Sequence, residues 1–171
     1  PKTAANSPST YSGGITIKSP QEIDCMRRAG KIVGDTINLL KAAVAPGMTT
    51  KDLDKIAYKE ITRQGARPTF MGYHGFPASI CTSVNEEIVH GIPGDRKMKE
   101  GDIVSVDFGA IVDGFHGDSA FTVGVGKISD EAKQLVDATD ESLQKGIREA
   151  MPGARLTDIS AAVQRYAETK G

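Results

Sequence analysis

The chain has 171 residues and a formal net charge of −1, enough length for one buried core and no electrostatic case for a nucleic-acid partner. Its apolar runs fall far short of a membrane span, and its start lacks the charged-then-apolar pattern of a signal peptide. Two cysteines, Cys25 and Cys81, are too few for a disulfide framework, so the expected setting is reducing and cytoplasmic.

Residues 1–14, PKTAANSPSTYSGG, are small and polar and read as a flexible arm. Order is expected from ITIKSPQE onward. Ser19 is a good N-cap, Pro20 suits the first helical position, and Glu22 completes a capping box. Behind them Ile23, Met26, Ala29, Ile32, Val33, Ile37 and Leu40 recur at helical spacing, until Pro46-Gly47 stops the helix. A second helix is expected from Thr49 or Thr50 through Leu53, Ile56, Ala57 and Ile61 to Gly65.

Between 66 and 125 the pattern turns to β. ASICTSV, EEIVHGI, DIVSVDFGAIV and FHGDSAFTVGV read as strands separated by glycine-rich or charged turns. Helical spacing returns from Asp130 with Leu135, Val136, Leu143 and Ile147, breaks at Pro152-Gly153, and resumes to Gly171. The order is helix pair, antiparallel sheet, helix pair: an α+β chain.

The two helical regions resemble each other. At an offset of 106 residues, Pro46, Gly47, Asp52 and Gly65 fall on Pro152, Gly153, Asp158 and Gly171. Read as an internal repeat, the first copy continues into a half-sheet after Gly65, and the second is expected to need one beyond Gly171.

Asp113-Gly114 between alternating apolar runs predicts a two-residue hairpin turn, because both of its residues need positive φ. Val112 then faces Phe115. One face carries Val104, Val106, Phe108, Ala110 and Val112, a core face. The other carries Ser105, Asp107, Gly109, His116, Asp118 and Ala120. Asp107 and Asp118 become diagonal neighbours at roughly 7–8 Å, short enough to converge on one centre. Two anions that close repel unless a cation lies between them, and all-oxygen ligation suits Mn²⁺, Fe²⁺ or Mg²⁺. A wet outer face that merely tolerates aspartate is the competing reading. DFG at 107–109 lacks the other kinase signatures, and GVGK at 124–127 lacks the phosphate-loop spacing. Of the three histidines, His116 shares the aspartate face, His74 sits in a loop with Tyr73 and Phe76, and His90 closes the EEIVHGI segment. Each has a structural reading beside a functional one.

Taken together, IKSPQEIDCMRRAG, APGMTTKDLD, GYHGFPASICTSVNEEIVHGIPGDR, EGDIVSVDFG and DGFHGDSA resemble type I methionine aminopeptidases, in order and over residues 15–171. The resemblance implies the pita-bread fold, two pseudo-symmetric αβ halves around a curved antiparallel sheet. Residues 15–126 would be the first half and 127–171 the helices of the second, leaving the domain incomplete. It implies hydrolytic removal of the initiator methionine from nascent chains when the next residue is small. It also implies a site of two divalent ions (Co, Mn, Fe or Zn) in the complete enzyme and fewer or weaker ones in this chain.

By motif, Asp107 and Asp118 match the family's two aspartate ligands, and His90 matches its substrate-contacting histidine. Tyr73, Phe76 and Cys81 match the methionine pocket, with Phe70 at its edge. The family's ligating histidine and two glutamates have no counterpart in the sequence. Weak or absent activity is therefore expected of this chain alone, with the missing half or a second chain as partner. Neither a membrane nor nucleic acid is expected as a partner. A non-catalytic binding module with the same fold is the alternative. A proline-directed relative fits GYHGFP and HGIP poorly.

Overall fold

The computed structural model describes residues 10–12 and 15–171. Two short strands, β1 (Thr10–Ser12) and β2 (Ile15–Ile17), pair antiparallel, followed by helices α1 (Pro20–Ala43) and α2 (Thr50–Arg63). Then come β3 (Arg67–Pro68), β4 (Cys81–Val84), the long hairpin β5 (Ile103–Val112) and β6 (Phe115–Gly124), and helices α3 (Asp130–Glu149) and α4 (Leu156–Glu168).

The helix starts follow the sequence. The Ser19 amide donates to Glu22 Oε2 at 2.7 Å, and Thr49 caps α2 in the same way through Asp52. The repeat has a structural trace. Gly47 and Gly153 both stand at φ +90°, and the Arg155 amide donates to Asp158 as that of Thr49 does to Asp52.

The hairpin is as expected. Asp113 (φ +50°) and Gly114 (φ +86°) form the turn, and Val112 faces Phe115, Asp107 faces Ala120 and Gly109 faces Asp118. Val104, Val106, Phe108 and Ala110 are fully buried against α1 and α2, whose Leu40, Leu53 and Ile61 complete the core. Each of these side chains larger than alanine contributes roughly 1.5–3 kcal/mol of burial. Arg28 of α1 reaches the turn and pairs with Asp113 at 2.6 Å. Asp113 is thus engaged in tying α1 to the hairpin tip.

Three expectations change. EEIVHGI is not a strand. Ile88, Val89 and Ile92 are 88%, 64% and 62% exposed, because no sheet face lies beneath them to bury alternate residues. ASICTSV pairs only over Cys81–Val84. Within the expected flexible arm Thr10–Ser12 form a strand, while the rest of residues 1–14 lies outside the described residues.

One detail of topology positions the site. β6 occupies one side of β5 along its whole length, so β3 and β4 share the other, opposite residues 110–111 and 104–107. Residues 69–80 are therefore an excursion inserted into a single strand position.

Candidate active site

Asp107 and Asp118 rise from the hairpin face opposite the core. Cys81 stands directly across from Asp107 on β4. Gly109, two residues along from Asp107, faces Asp118. A Cβ there would lie 3.0 Å from Asp118 Oδ2 and 2.6 Å from Thr69 Oγ1, so only glycine lets the carboxylate lean across the strand. No hydrogen bond to either carboxylate is found among the described residues.

Burial, then the nearby Asp118 anion, push the Asp107 carboxyl above its ordinary range, and His90 pulls it the other way. The same two causes, burial and then the aspartates, push the Cys81 thiol up to about 11. A divalent cation would remove the repulsion between the carboxylates, so the donors present fit one. They would be only part of a ligand set. Among the described residues no third His, Cys, Asp or Glu joins them.

The excursion 69–80 carries the expected substrate residues. Phe70 and Phe76 meet edge to face with ring centroids 6.3 Å apart, Phe70 against the core. Cys81, where the excursion rejoins the sheet, is buried. Tyr73 does not join that pair. It is 66% exposed and packs against His74 with ring centroids 4.4 Å apart. His90 lies in the loop after β4, at φ +60°.

Thr69 escaped the sequence reading. Its hydroxyl is buried without a hydrogen-bond partner and lies over Gly109 beside Asp118. Nothing in the PTF tripeptide marks it, because its place depends on the split strand. A groove of about 630 Å³ between α3 and α4, lined by Leu135, Ser142 and Tyr166 among others, lies on the helix pair and not on the aspartate face.

The sheet face is thus backed by core and carries two carboxylates, which accept no hydrogen bond among the described residues, beside an aromatic excursion. Residues 24–171 match metallopeptidase family M24, and the chain belongs to that family. It is 54% identical over 157 residues to a methionine aminopeptidase of Clostridium perfringens, covering 92% of this chain and 63% of that protein. It is 55% identical over 156 residues to methionine aminopeptidase 1 of Bacillus subtilis, covering 91% and 63%. Among solved structures, methionine aminopeptidase from Thermotoga maritima superposes with a TM-score of 0.88 at 41% identity, over 90% of this chain and 62% of that one. The fold is thus the pita-bread architecture over the part matched, and the chain spans about 63% of the length of these curated relatives. No helix among the described residues is long and apolar enough to cross a membrane.

Proposed function

We propose that this chain provides part of a metal-dependent aminopeptidase that removes N-terminal methionine from nascent proteins when the next residue is small. The observation that carries the reading is the convergence of Asp107 and Asp118 beside Cys81, on a face whose reverse is core. The two aspartates would hold divalent ions, Co, Mn, Fe or Zn, two of them in the complete site. Bound there, the metal supplies Lewis acidity toward the scissile peptide.

The chain's own residues do the rest. Phe70, Phe76 and the protonated Cys81 offer an apolar, polarisable surface to a thioether, with the exposed Tyr73 as a further wall. His90, at the rim beside Asp107, would contact the substrate and carry a proton at its imidazole. Glycine at 109 keeps the floor clear between the carboxylates.

The remaining ligands would come from a complementary half of the fold, in the same polypeptide or in a second chain, so this chain alone would be weakly active or inactive. One observation favours a non-catalytic binding module instead: the two aspartates have no third ligand among the described residues. The test is methionine release from Met-Ala-Ser with Mn²⁺ or Co²⁺. It is run on this chain alone and after mixing with the C-terminal portion of the Bacillus subtilis relative that it does not span. Release only on mixing supports the aminopeptidase. Neither release nor Mn²⁺ binding on mixing, with complex formation intact, favours the module. Full activity from the chain alone overturns its dependence on a second half.

A further inference from the structure

We propose that Glu87, braced by Arg96, is the positioning residue that sets His90 over the aspartate face. What His90 does there rests on the aminopeptidase reading; how it is held does not.

The loop from 85 to 102 is stapled at its base. The Asn85 amide donates to the Ile103 carbonyl at 3.0 Å, the Ile103 amide to Asn85 Oδ1 at 3.0 Å, and Asn85 Nδ2 to Asp102 Oδ1 at 2.9 Å. Met98 on the returning limb is buried, but over residues 86–92 burial does not fix the path, because Ile88, Val89 and Ile92 all face solvent. Polar tethers must do so there. Gly91 is fixed to β4: the Thr82 amide donates to its carbonyl at 2.8 Å, and its own amide donates to Ser83 Oγ at 3.2 Å. It lies so close to β4 that a Cβ would be 2.1 Å from the Thr82 oxygen, which dictates glycine there.

Glu87 is the tether on the other side of His90. Its Oε2 accepts from the Val84 amide at 2.8 Å, where β4 ends, and lies 3.2 Å from where a Gly91 Cβ would be. Its Oε1 accepts from Arg96 Nη1 at 2.7 Å, on the limb returning toward β5. One carboxylate therefore bonds the strand end and the far limb while lying close against Gly91, the residue after His90. His90 sits between these two fixed points in the left-handed region, a conformation that a non-glycine residue keeps only when its surroundings impose it. Glu87 and Arg96 are each about two-fifths exposed, so the pair adds little to global stability. Its effect is on geometry.

The test uses the chain as it is, with Mn²⁺ as a paramagnetic probe, reading the Cε1–H resonances of His74, His90 and His116 by NMR. His116 shares the hairpin face with Asp118 and reports metal occupancy. In the wild type Mn²⁺ should broaden His90 and His116 more than His74. E87Q keeps one acceptor for the Val84 amide but breaks the ion pair, and R96M breaks it from the other side. Both should reduce the broadening of His90 severalfold and leave that of His116 unchanged, and R96K should restore it. His90 broadening at the wild-type level in both E87Q and R96M overturns the proposal.

If Mn²⁺ broadens no histidine even in the wild type, the metal reading fails, and amide exchange decides the positioning claim. Exchange of the Thr82 amide about tenfold faster in E87Q, with the Val106 amide of β5 unchanged, upholds it. Unchanged Thr82 exchange overturns it.

Discussion

Cys81 and Asp107 are register partners across β4 and β5, so a buried thiol and a half-buried carboxylate face each other over one sheet position. Burial, and then the Asp107 and Asp118 anions, raise the cost of ionising the thiol. With its thiol pushed up to about 11, Cys81 is almost entirely protonated at pH 8, whereas an unperturbed thiol is roughly a quarter ionised there. Alkylation at pH 8 should therefore run at least about a hundredfold slower at Cys81 than at a free model thiol. Cys25, half-buried on α1 with Arg28 Nη2 3.2 Å from its sulfur, should react ahead of it. Mass spectrometry of partly labelled protein checks the order. Equal labelling of the two cysteines would contradict the burial of Cys81.

The carboxylates make a second prediction, in which stability and metal binding part company. Asp107 is raised by burial and by Asp118, so without metal its ionisation opposes folding. The sign follows. The unfolded chain binds fewer protons than the native one between the ordinary aspartate value and the raised one, so apo stability falls as pH climbs through that window. Asp107→Asn should therefore stabilise the apo-protein at pH 7. It should also weaken Mn²⁺ binding by no less than the roughly ten- to hundredfold typical of disturbing a metal's outer partners. Urea denaturation and Mn²⁺ titration by EPR give the two halves. Unchanged Mn²⁺ affinity in Asp107→Asn would remove it from the site.

Much of this was legible in the chain because its signals are local. Ser19 with Glu22 and Asp113 with Gly114 act through backbone groups within three residues, and the alternation from Val104 to Val112 is set by the pleat. That alternation alone places Asp107 and Asp118 on one face. The failures are non-local. EEIVHGI alternates like a strand, yet β5 already has β4 and β6 as neighbours along that stretch, so there is no partner for it to pair with. Thr69 and Glu87 matter through where the split strand and the loop bring them, and no spacing in the sequence encodes that. Tyr73 carries the right side chain, but His74 at φ +47° turns the chain so that the ring stays outside.

Gly117 gives a third prediction. A Cβ at this position would lie 2.6 Å from the Ala29 carbonyl carbon and 2.6 Å from the Gly30 nitrogen, both backbone atoms of α1. Neither can swing aside as a side-chain tip would, so Gly117→Ala must push α1 off β6. Overpacking of this kind costs typically about 1–3 kcal/mol. The urea midpoint should drop accordingly. Asp118 is the next residue, so Mn²⁺ affinity should fall with it. An unchanged midpoint would mean that the α1 backbone does not lie within contact of Gly117.

The fourth prediction concerns the start of α2. The Thr49 hydroxyl and Lys55 hydrogen-bond the Asp52 carboxylate, the Thr49 amide adds a third bond, and together they hold Asp52 down to about 2. A depressed carboxyl contributes stability that is present above its unfolded value, near 4, and is lost as pH falls through the folded value. The wild type should therefore exceed Asp52→Asn in thermal midpoint by a constant margin between pH 5 and 7. The margin should shrink below pH 4 and vanish only well below pH 2, once both proteins carry a neutral side chain at this position. Asparagine still accepts from the Thr49 amide, so the comparison isolates the charge. Thr50, the next residue, exchanges hydrogen bonds with Gly94 through its hydroxyl, so α2 also anchors the loop that carries His90. Loss of the cap at low pH should accordingly speed amide exchange at Gly94 before it reaches the β5 core. Uniform exchange across both would show that the helix start and the loop do not melt as a local unit.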